Sequence, residues 1–169
     1  MIEKELSKSV DTSMIDKVLN DFLEPFEATA EMGDTFCYCL VSSTINYTLL
    51  EEPEEKYFLN HVFSLAPDLA GYDGFLISFL HELGHHYTLD ELSEDEVDES
   101  LSAKYRISDE YTDGRVDLQE EYYNLPDEAA ATNWAIEYIR NNREKINEFW
   151  SKLLNAIVQF YEANVTELN

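Results

Sequence analysis

Two histidines flanking a glutamate form the clearest chemical signal in the sequence. They occur in the run His81-Glu82-Leu83-Gly84-His85. Residues four apart on a helix lie on one face about one turn apart, so both imidazoles can bind the same metal ion. Zinc accepts histidine nitrogens at about 2.0–2.1 Å and lowers the pKa of a bound water to about 7. The run therefore predicts a catalytic Zn²⁺ site with His81 and His85 as ligands and Glu82 as the general base.

A catalytic zinc ion needs a third protein ligand and an open fourth position. We expect Glu128 to be that ligand, because positions 128, 131 and 135 share one face of a later predicted helix. The alanines at 131 and 135 would let this helix pack closely on the one that carries the histidines. His61, the only histidine outside the cluster, is the alternative ligand. Asp127 is expected to interact with the positive end of the helix dipole instead.

Together, the two motifs resemble a known family. HELGH at 81–85 and E-x-x-A-x-x-W-A at 128–135 are similar to the motifs of the gluzincin-type metallopeptidases of the ImmA/IrrE group, small proteins of bacteria, mobile elements and phages. That family binds zinc through a His-Glu-x-x-His helix and a later Glu-x-x-Ala-x-x-Phe-Ala helix, and Trp134 stands here in place of the Phe. The resemblance covers about residues 75 to 140. It implies zinc ligands and a general base as follows: His81, His85 and Glu128 as ligands, and Glu82 as base.

Hydrophobic periodicity predicts the elements that would position these residues. Apolar residues at helical spacing predict four helices, and β-branched and aromatic runs predict three strands. The predicted helices cover 11–26, 75–87, 127–141 and 143–161, and the predicted strands cover 35–42, 44–50 and 56–65. We expect 51–55 to be a charged turn, 90–99 to be a solvated acidic segment, and 100–124 to be of mixed character. The pattern predicts a single α+β domain over 1–169, a zincin-like metallopeptidase domain with a small sheet packed against the HExxH helix and further helices.

Zinc peptidases commonly add a hydrogen-bond donor that stabilises the tetrahedral intermediate. Tyrosine, histidine and arginine side chains can act in this way. Five residues of these types are candidates: His86, Tyr87, Tyr111, Tyr122 and Tyr123. The sequence does not favour one of them, because the chain contains eleven tyrosines and most tyrosines have packing roles.

Acidic residues outnumber basic ones 36 to 11, and the formal net charge is −25. A field of this sign repels nucleic acid and anionic membrane surfaces and favours cations and basic partners. We therefore expect a protein or peptide substrate, basic by preference, with no direct binding to nucleic acid or membrane. The family resemblance implies a target such as a repressor encoded by a mobile element, and regulators that bind DNA are often basic.

The two cysteines, Cys37 and Cys39, are separated by one residue on a predicted strand. Their side chains would point to the same face, which is a poor arrangement for a disulfide, so we expect a packing role. Sparse cysteine fits a reducing compartment. The N-terminal residues lack the charged and apolar pattern of a signal peptide, and no apolar run approaches about 18 residues. We expect a cytoplasmic protein.

Two other interpretations compete with the peptidase. The first is a catalytically silent binding protein on a zincin scaffold, whose carboxylate surface imitates DNA phosphate and occupies a nucleic-acid-binding enzyme, as a phage or mobile-element antagonist would. The second is a purely structural zinc site. The structural site is disfavoured because such sites usually have four protein ligands, with cysteine prominent.

Overall fold

The computed structural model describes residues 11–49, 55–110 and 116–165. Within those ranges the architecture is α+β and mostly helical, with one small sheet. The helices are α1 (Ser13–Leu23), α2 (Glu55–Leu65), α3 (Gly74–Thr88), α4 (Glu94–Glu110), α5 (Val116–Tyr123), α6 (Pro126–Asn141) and α7 (Arg143–Val165), and the strands are β1 (Thr29–Met32), β2 (Cys37–Cys39) and β3 (Thr44–Tyr47).

The sheet has the order β1-β3-β2, with β1 parallel and β2 antiparallel to the central strand. Ile45 and Tyr47 of β3 are fully buried. The strands predicted over 35–42 and 44–50 are confirmed as β2 and β3. Strand β2 is shorter than predicted because a turn begins at Leu40. Strand β1 was not predicted, since only Ala30 of its four residues is buried and its pattern is correspondingly weak.

The prediction of a third strand over 56–65 is wrong, because these residues form helix α2. Aromatic and β-branched residues suggested a strand. The side chains that turn inward nevertheless follow the period of a helix, because Phe58 and Leu59 lie four and three residues before Val62. His61 therefore lies on a helix and not on a strand.

The helix predicted for the histidine motif is confirmed as α3. Its first turn is capped by Asp73, whose carboxylate accepts a hydrogen bond from the backbone N–H of Phe75 at 3.0 Å. Helix α6, also predicted, begins with Pro126 in its first turn. Helix α3 packs most extensively against α6. A Cβ at Gly84 would lie 2.4 Å from the carbonyl oxygen of Ala131, so glycine permits this close approach.

The prediction that the acidic segment 90–99 is solvated is confirmed, since all its residues but Leu92 and Val97 are exposed; from Glu94 on, these exposed residues form the start of helix α4. A reciprocal capping box begins this helix. The backbone N–H of Ser93 donates to the Glu96 carboxylate at 2.8 Å, and the backbone N–H of Glu96 donates to Ser93 Oγ at 3.3 Å. The segment 100–124 is likewise helical as far as it is described, and 111–115 lie outside the described residues.

A core between the helices and the sheet supports this arrangement. Helix α1 packs against α7 and β1, and the rings of Phe22 and Phe149 stack with centroids 3.9 Å apart. Tyr47 donates a hydrogen bond to Asp16 at 2.7 Å, which ties the central strand to α1. In the described ranges, no helix combines the length and apolar character needed to cross a membrane.

Candidate metal centre

His81, His85 and Glu128 converge on one point between α3 and α6. All three are buried, with 5%, 8% and 3% of their surface exposed. Their potential ligand atoms all lie within 4.8 Å of one another, as a group that could hold a metal ion. His81 and Glu128, 47 positions apart in sequence, are thus brought together by the packing of two helices, which is the grouping that we expected from ligand chemistry and the family resemblance.

The separations between Glu128 and each of the two histidines fit a small ion with short bonds. In a tetrahedral site with ligands about 2.0–2.1 Å from the ion, neighbouring ligand atoms lie about 3.3 Å apart. Nε2 of His81 is 3.0 Å from Oε2 of Glu128, and Nε2 of His85 is 3.6 Å from Oε1. Two imidazoles and one carboxylate are also a donor set that zinc accepts.

A hydrogen bond on the far side of the ring orients His81. Its Nδ1 lies 3.1 Å from the Thr132 hydroxyl oxygen, which is buried on α6. When Nε2 binds a metal ion, Nδ1 carries the proton and donates it to this oxygen. Thr132 lies four residues after Glu128, so both side chains project from one face of α6.

Lys104 and Asp127 lie on the outer side of the Glu128 carboxylate. The ammonium of Lys104 on α4 is 2.6 Å from Oε1 of Glu128 and 2.5 Å from Oδ2 of Asp127. Asp127 was expected to interact with the helix dipole. It does lie in the first turn of α6, but its side chain makes no capping hydrogen bond there and pairs with Lys104.

Glu82 lies beside the ligand group and is only partly buried. Loss of hydration raises the pKa of its carboxyl, although the two neighbouring histidines oppose that shift. The backbone N–H of Tyr38 on the edge strand β2 donates a hydrogen bond to it. A carboxyl with a raised pKa is suited to accept a proton and release it again near neutral pH.

The ligand residues polarise one another. Burial disfavours the charged form of Glu128, but hydrogen bonds from His81 and His85 outweigh burial and hold the pKa of its carboxyl well below the usual range. Burial likewise opposes the charged form of His85, and the carboxylate of Glu128 outweighs it and raises the pKa of the imidazole. A positive charge at this point is therefore favoured, whether it comes from protons or from a metal ion.

Of the five candidate donors, only Tyr122 faces the ligand group among those described. Burial and the charges of Glu128 and Glu82 raise the pKa of its hydroxyl, which also hydrogen-bonds to Glu128. Three of the other candidates contact residues away from the ligand group. His86 hydrogen-bonds to the Tyr38 hydroxyl and the Phe26 carbonyl, and Tyr87 stacks on Trp134. Tyr123 packs against His61 and Phe58, and Tyr111 lies outside the described residues.

One wall of the site comes from helix α2, which had been predicted as a strand. The Phe58 ring packs edge-on against the His81 imidazole, with centroids 4.8 Å apart. His61, the alternative ligand, is not in the converging group and packs against Tyr123. Sequence reasoning missed Phe58, Thr132 and Lys104. The four-residue spacing from Glu128 could have identified Thr132, whereas Lys104 offers only the weaker signal of a lone lysine in an acidic segment.

A separate groove of about 820 Å³ opens at the other end of α3. It is lined by Gly74 and Phe75 at the start of α3 and by Trp150 of α7. None of the three converging residues lines it. The groove is thus distinct from the metal centre.

The chain matches no protein-family model, no curated protein and no solved structure. The geometry of the site is therefore the basis for its functional interpretation.

Proposed function

We propose that this protein is a zinc-dependent metallopeptidase with a zincin-like domain. The observation that carries the proposal is the convergence of His81, His85 and Glu128 with Glu82 beside them. Two histidines and one glutamate form the ligand set typical of catalytic zinc, which leaves one position open. Structural zinc sites usually have four protein ligands, and neither cysteine of this chain belongs to the group.

Bound zinc would supply a Lewis acid that polarises the substrate carbonyl and makes water acidic enough to attack at neutral pH. Glu82 takes the proton from the attacking water and later delivers it to the leaving amine. Thr132 keeps the His81 ring in its binding orientation. Tyr122 stands beside Glu128 and Glu82; on releasing its hydrogen bond to Glu128, its hydroxyl would donate to the substrate oxygen and stabilise the negative charge that develops there.

The proposed substrate is a peptide bond in a cytoplasmic protein, with basic sequences favoured. The net charge of −25 supports this preference, because it attracts positively charged chains and repels polyanions. A basic regulator fits this preference, and the proposal includes no direct contact with nucleic acid or membrane.

The test begins with metal analysis of the purified protein and of the variants His81→Ala and Glu128→Ala. We expect about one zinc per chain in the parent and a large loss in both variants, since each removes one of three protein ligands. A parent protein that binds no zinc under any condition would overturn the proposal. That result, together with tight binding to a basic nucleic-acid enzyme, would favour the silent acidic antagonist instead.

Catalysis is tested with Glu82→Gln, which keeps the shape of the side chain but cannot take a proton. A peptide library rich in lysine and arginine, read by mass spectrometry, serves as substrate, with an equally long acidic library for comparison. We expect Glu82→Gln to retain zinc and to lose at least about 100-fold in cleavage rate. Cleavage at the parental rate would show that Glu82 is not the base.

A further inference from the structure

We propose that Lys104, with Asp127 as its counter-ion, is a positioning residue that holds the Glu128 carboxylate in its metal-binding orientation. This inference rests on the proposed metal centre and adds a third helix, α4, to it. Lys104 belongs to neither of the two sequence motifs.

The environment of Lys104 differs from that of the other lysines. Among the residues that the structure describes, it is the only lysine that is not exposed. Its side chain is 26% exposed, whereas that of Lys152 is 64% exposed. Removing most of an ammonium from water is unfavourable unless strong partners replace the water. The carboxylates of Asp127 and Glu128 replace the water here, at 2.5 Å and 2.6 Å from the ammonium.

The two oxygens of Glu128 have different partners, which gives the contact an orienting role. Oε1 accepts from Lys104 at 2.6 Å, while Oε2 lies 3.0 Å from Nε2 of His81. A carboxylate held at one oxygen presents the other in a fixed direction, and partners of this kind tune metal affinity. Without Lys104, the carboxylate keeps its contacts with His81, His85 and the Tyr122 hydroxyl but loses the short hydrogen bond at Oε1, so rotation about its terminal bond, which has a broad torsional preference, is less restricted.

Helix α4 is tied to the start of α6 by a second contact. Ser100, one turn before Lys104, is buried, and its hydroxyl lies 3.4 Å from the backbone N–H of Asp127. The Lys104 ammonium also lies 5.3 Å from the centre of the Tyr122 ring on α5. The Lys104 ammonium therefore has three partners, the carboxylates of Asp127 and Glu128 and the Tyr122 ring, which restrict its position.

The charge of Lys104 could instead repel a metal ion, so the two effects must be compared. Asp127 neutralises the ammonium at 2.5 Å, and an ion pair of this kind has a field that decays faster than that of a single charge. The main effect of Lys104 on Glu128 is then the short hydrogen bond to Oε1. We therefore expect the orienting effect to exceed the repulsion, and loss of the pair to weaken metal binding.

The decisive variant is the double substitution Lys104→Met and Asp127→Asn, which removes the pair without changing net charge. Zn²⁺ affinity is measured by competition with a chromophoric chelator, and the visible spectrum of the Co²⁺-loaded protein reports ligand geometry. We expect affinity about 10- to 100-fold weaker and altered Co²⁺ bands. Lys104→Arg keeps a charged donor and should recover most of the affinity.

The matched control is Lys152→Met with Glu148→Gln. It removes an exposed pair at 2.7 Å on α7, also without a change in net charge, and should leave affinity and Co²⁺ bands at parental values. Circular dichroism checks that each variant is folded. If the double variant does not fold, Lys104→Met and Lys104→Arg carry the test. Loss of a positive charge would by itself strengthen cation binding, so we expect the orienting effect to appear as several-fold weaker Zn²⁺ binding by Lys104→Met, whereas Lys104→Arg should bind nearly normally.

Parental Zn²⁺ affinity and Co²⁺ bands in the folded double variant, or in Lys104→Met where only the single variants fold, would overturn the inference. Tighter binding would overturn it too, because it would mean that repulsion by the ammonium dominates. A parent protein that binds neither Zn²⁺ nor Co²⁺ would instead overturn the proposed metal centre, so the two failures are distinguishable.

Discussion

At the scale of single residues, the arrangement of the His81 ring depends on a neutral partner. The Thr132 hydroxyl lies 3.1 Å from Nδ1 and so fixes the direction in which Nε2 faces the carboxylate of Glu128; with a metal ion on Nε2, Nδ1 would donate its hydrogen bond to this hydroxyl. This partner is uncharged, and it adds no repulsion or attraction to an incoming cation. Its contribution is therefore orientation of the ring.

We expect Thr132→Val to weaken Zn²⁺ binding by about tenfold, since the isosteric side chain removes the acceptor but keeps the volume. Thr132→Ser, which keeps the hydroxyl, should stay within about twofold to threefold of the parent. Both affinities are measured by chelator competition. Equal affinities of the valine and serine variants would show that the hydrogen bond has no role in binding.

The pH dependence of metal binding follows from the electrostatics of His85. Protonated His85 cannot bind a metal ion, and Glu128 raises the pKa of this imidazole above its ordinary 6.5. Affinity should therefore be constant at higher pH and begin to fall while the pH is still above 6.5, by about tenfold per pH unit for each proton released. The pKa of Glu128 lies well below its usual range, so this carboxylate remains ionised throughout.

Zn²⁺ titrations between about pH 8 and about pH 5.5 would check this expectation. The imidazole of His85 can be followed in parallel by NMR of the metal-free protein. Affinity that stayed constant down to about pH 6 would contradict the assignment of His85 as a ligand.

At the scale of elements, the site depends on how closely α3 approaches α6. A Cβ at Gly84 would meet backbone atoms of Ala131 at 2.4–2.9 Å, and backbone atoms cannot move aside as the end of a side chain can. The two helices would have to separate, and the ligands they carry would separate with them.

We expect Gly84→Ala to lower the free energy of unfolding by about 1–3 kcal/mol, despite the higher helix propensity of alanine, and to weaken metal binding. Gly71→Ala is the matched control, because a Cβ there meets nothing within 4 Å. It should change stability by less than about 0.5 kcal/mol. Chemical denaturation measures both variants, and a fully stable Gly84→Ala protein would show that the helices can separate without cost.

The elements also show how far the sequence could predict the fold. Helix α3 was predicted from its long apolar run and helix α6 from Pro126, which suits a first helical turn; Asp73, which caps α3, was not used in the prediction. Helix α2 was misassigned because it is short and rich in residue types that favour strands. Helix α4 was missed because it buries only Ser100 and Ile107 of its seventeen residues, so its apolar period is weak.

At the scale of the whole molecule, the net charge of −25 opposes the compact state. Ion pairs reduce the repulsion between negative charges locally, for example where Arg140 and Arg143 both contact Asp68. Most carboxylates have no such cation, since acidic residues outnumber basic ones 36 to 11.

We expect the metal-free protein to become more stable as salt screens this repulsion. Between about 20 mM and about 300 mM NaCl the Debye length falls from roughly 20 Å to roughly 6 Å. We expect the free energy of unfolding to increase by about 1 kcal/mol, which raises Tm by about 2–4 °C for a chain of this size. Calorimetry with EDTA present excludes divalent ions, and KCl should act as NaCl does. A Tm that fell with added salt would mean that local ion pairs outweigh the overall repulsion.

The sequence by itself determined which residues could bind a metal ion and on which helices they lie. Histidine spacing and helical periodicity are local properties, and with ligand chemistry and the family resemblance they allowed His81, His85 and Glu128 to be named without a structure. Only the tertiary structure decided what surrounds them. Lys104 and Phe58 come from other elements, and the packing of α2 on α3 and of α4 on α6 brings their side chains to the ligand group. Packing depends on the simultaneous burial of many apolar side chains, and no local pattern encodes it.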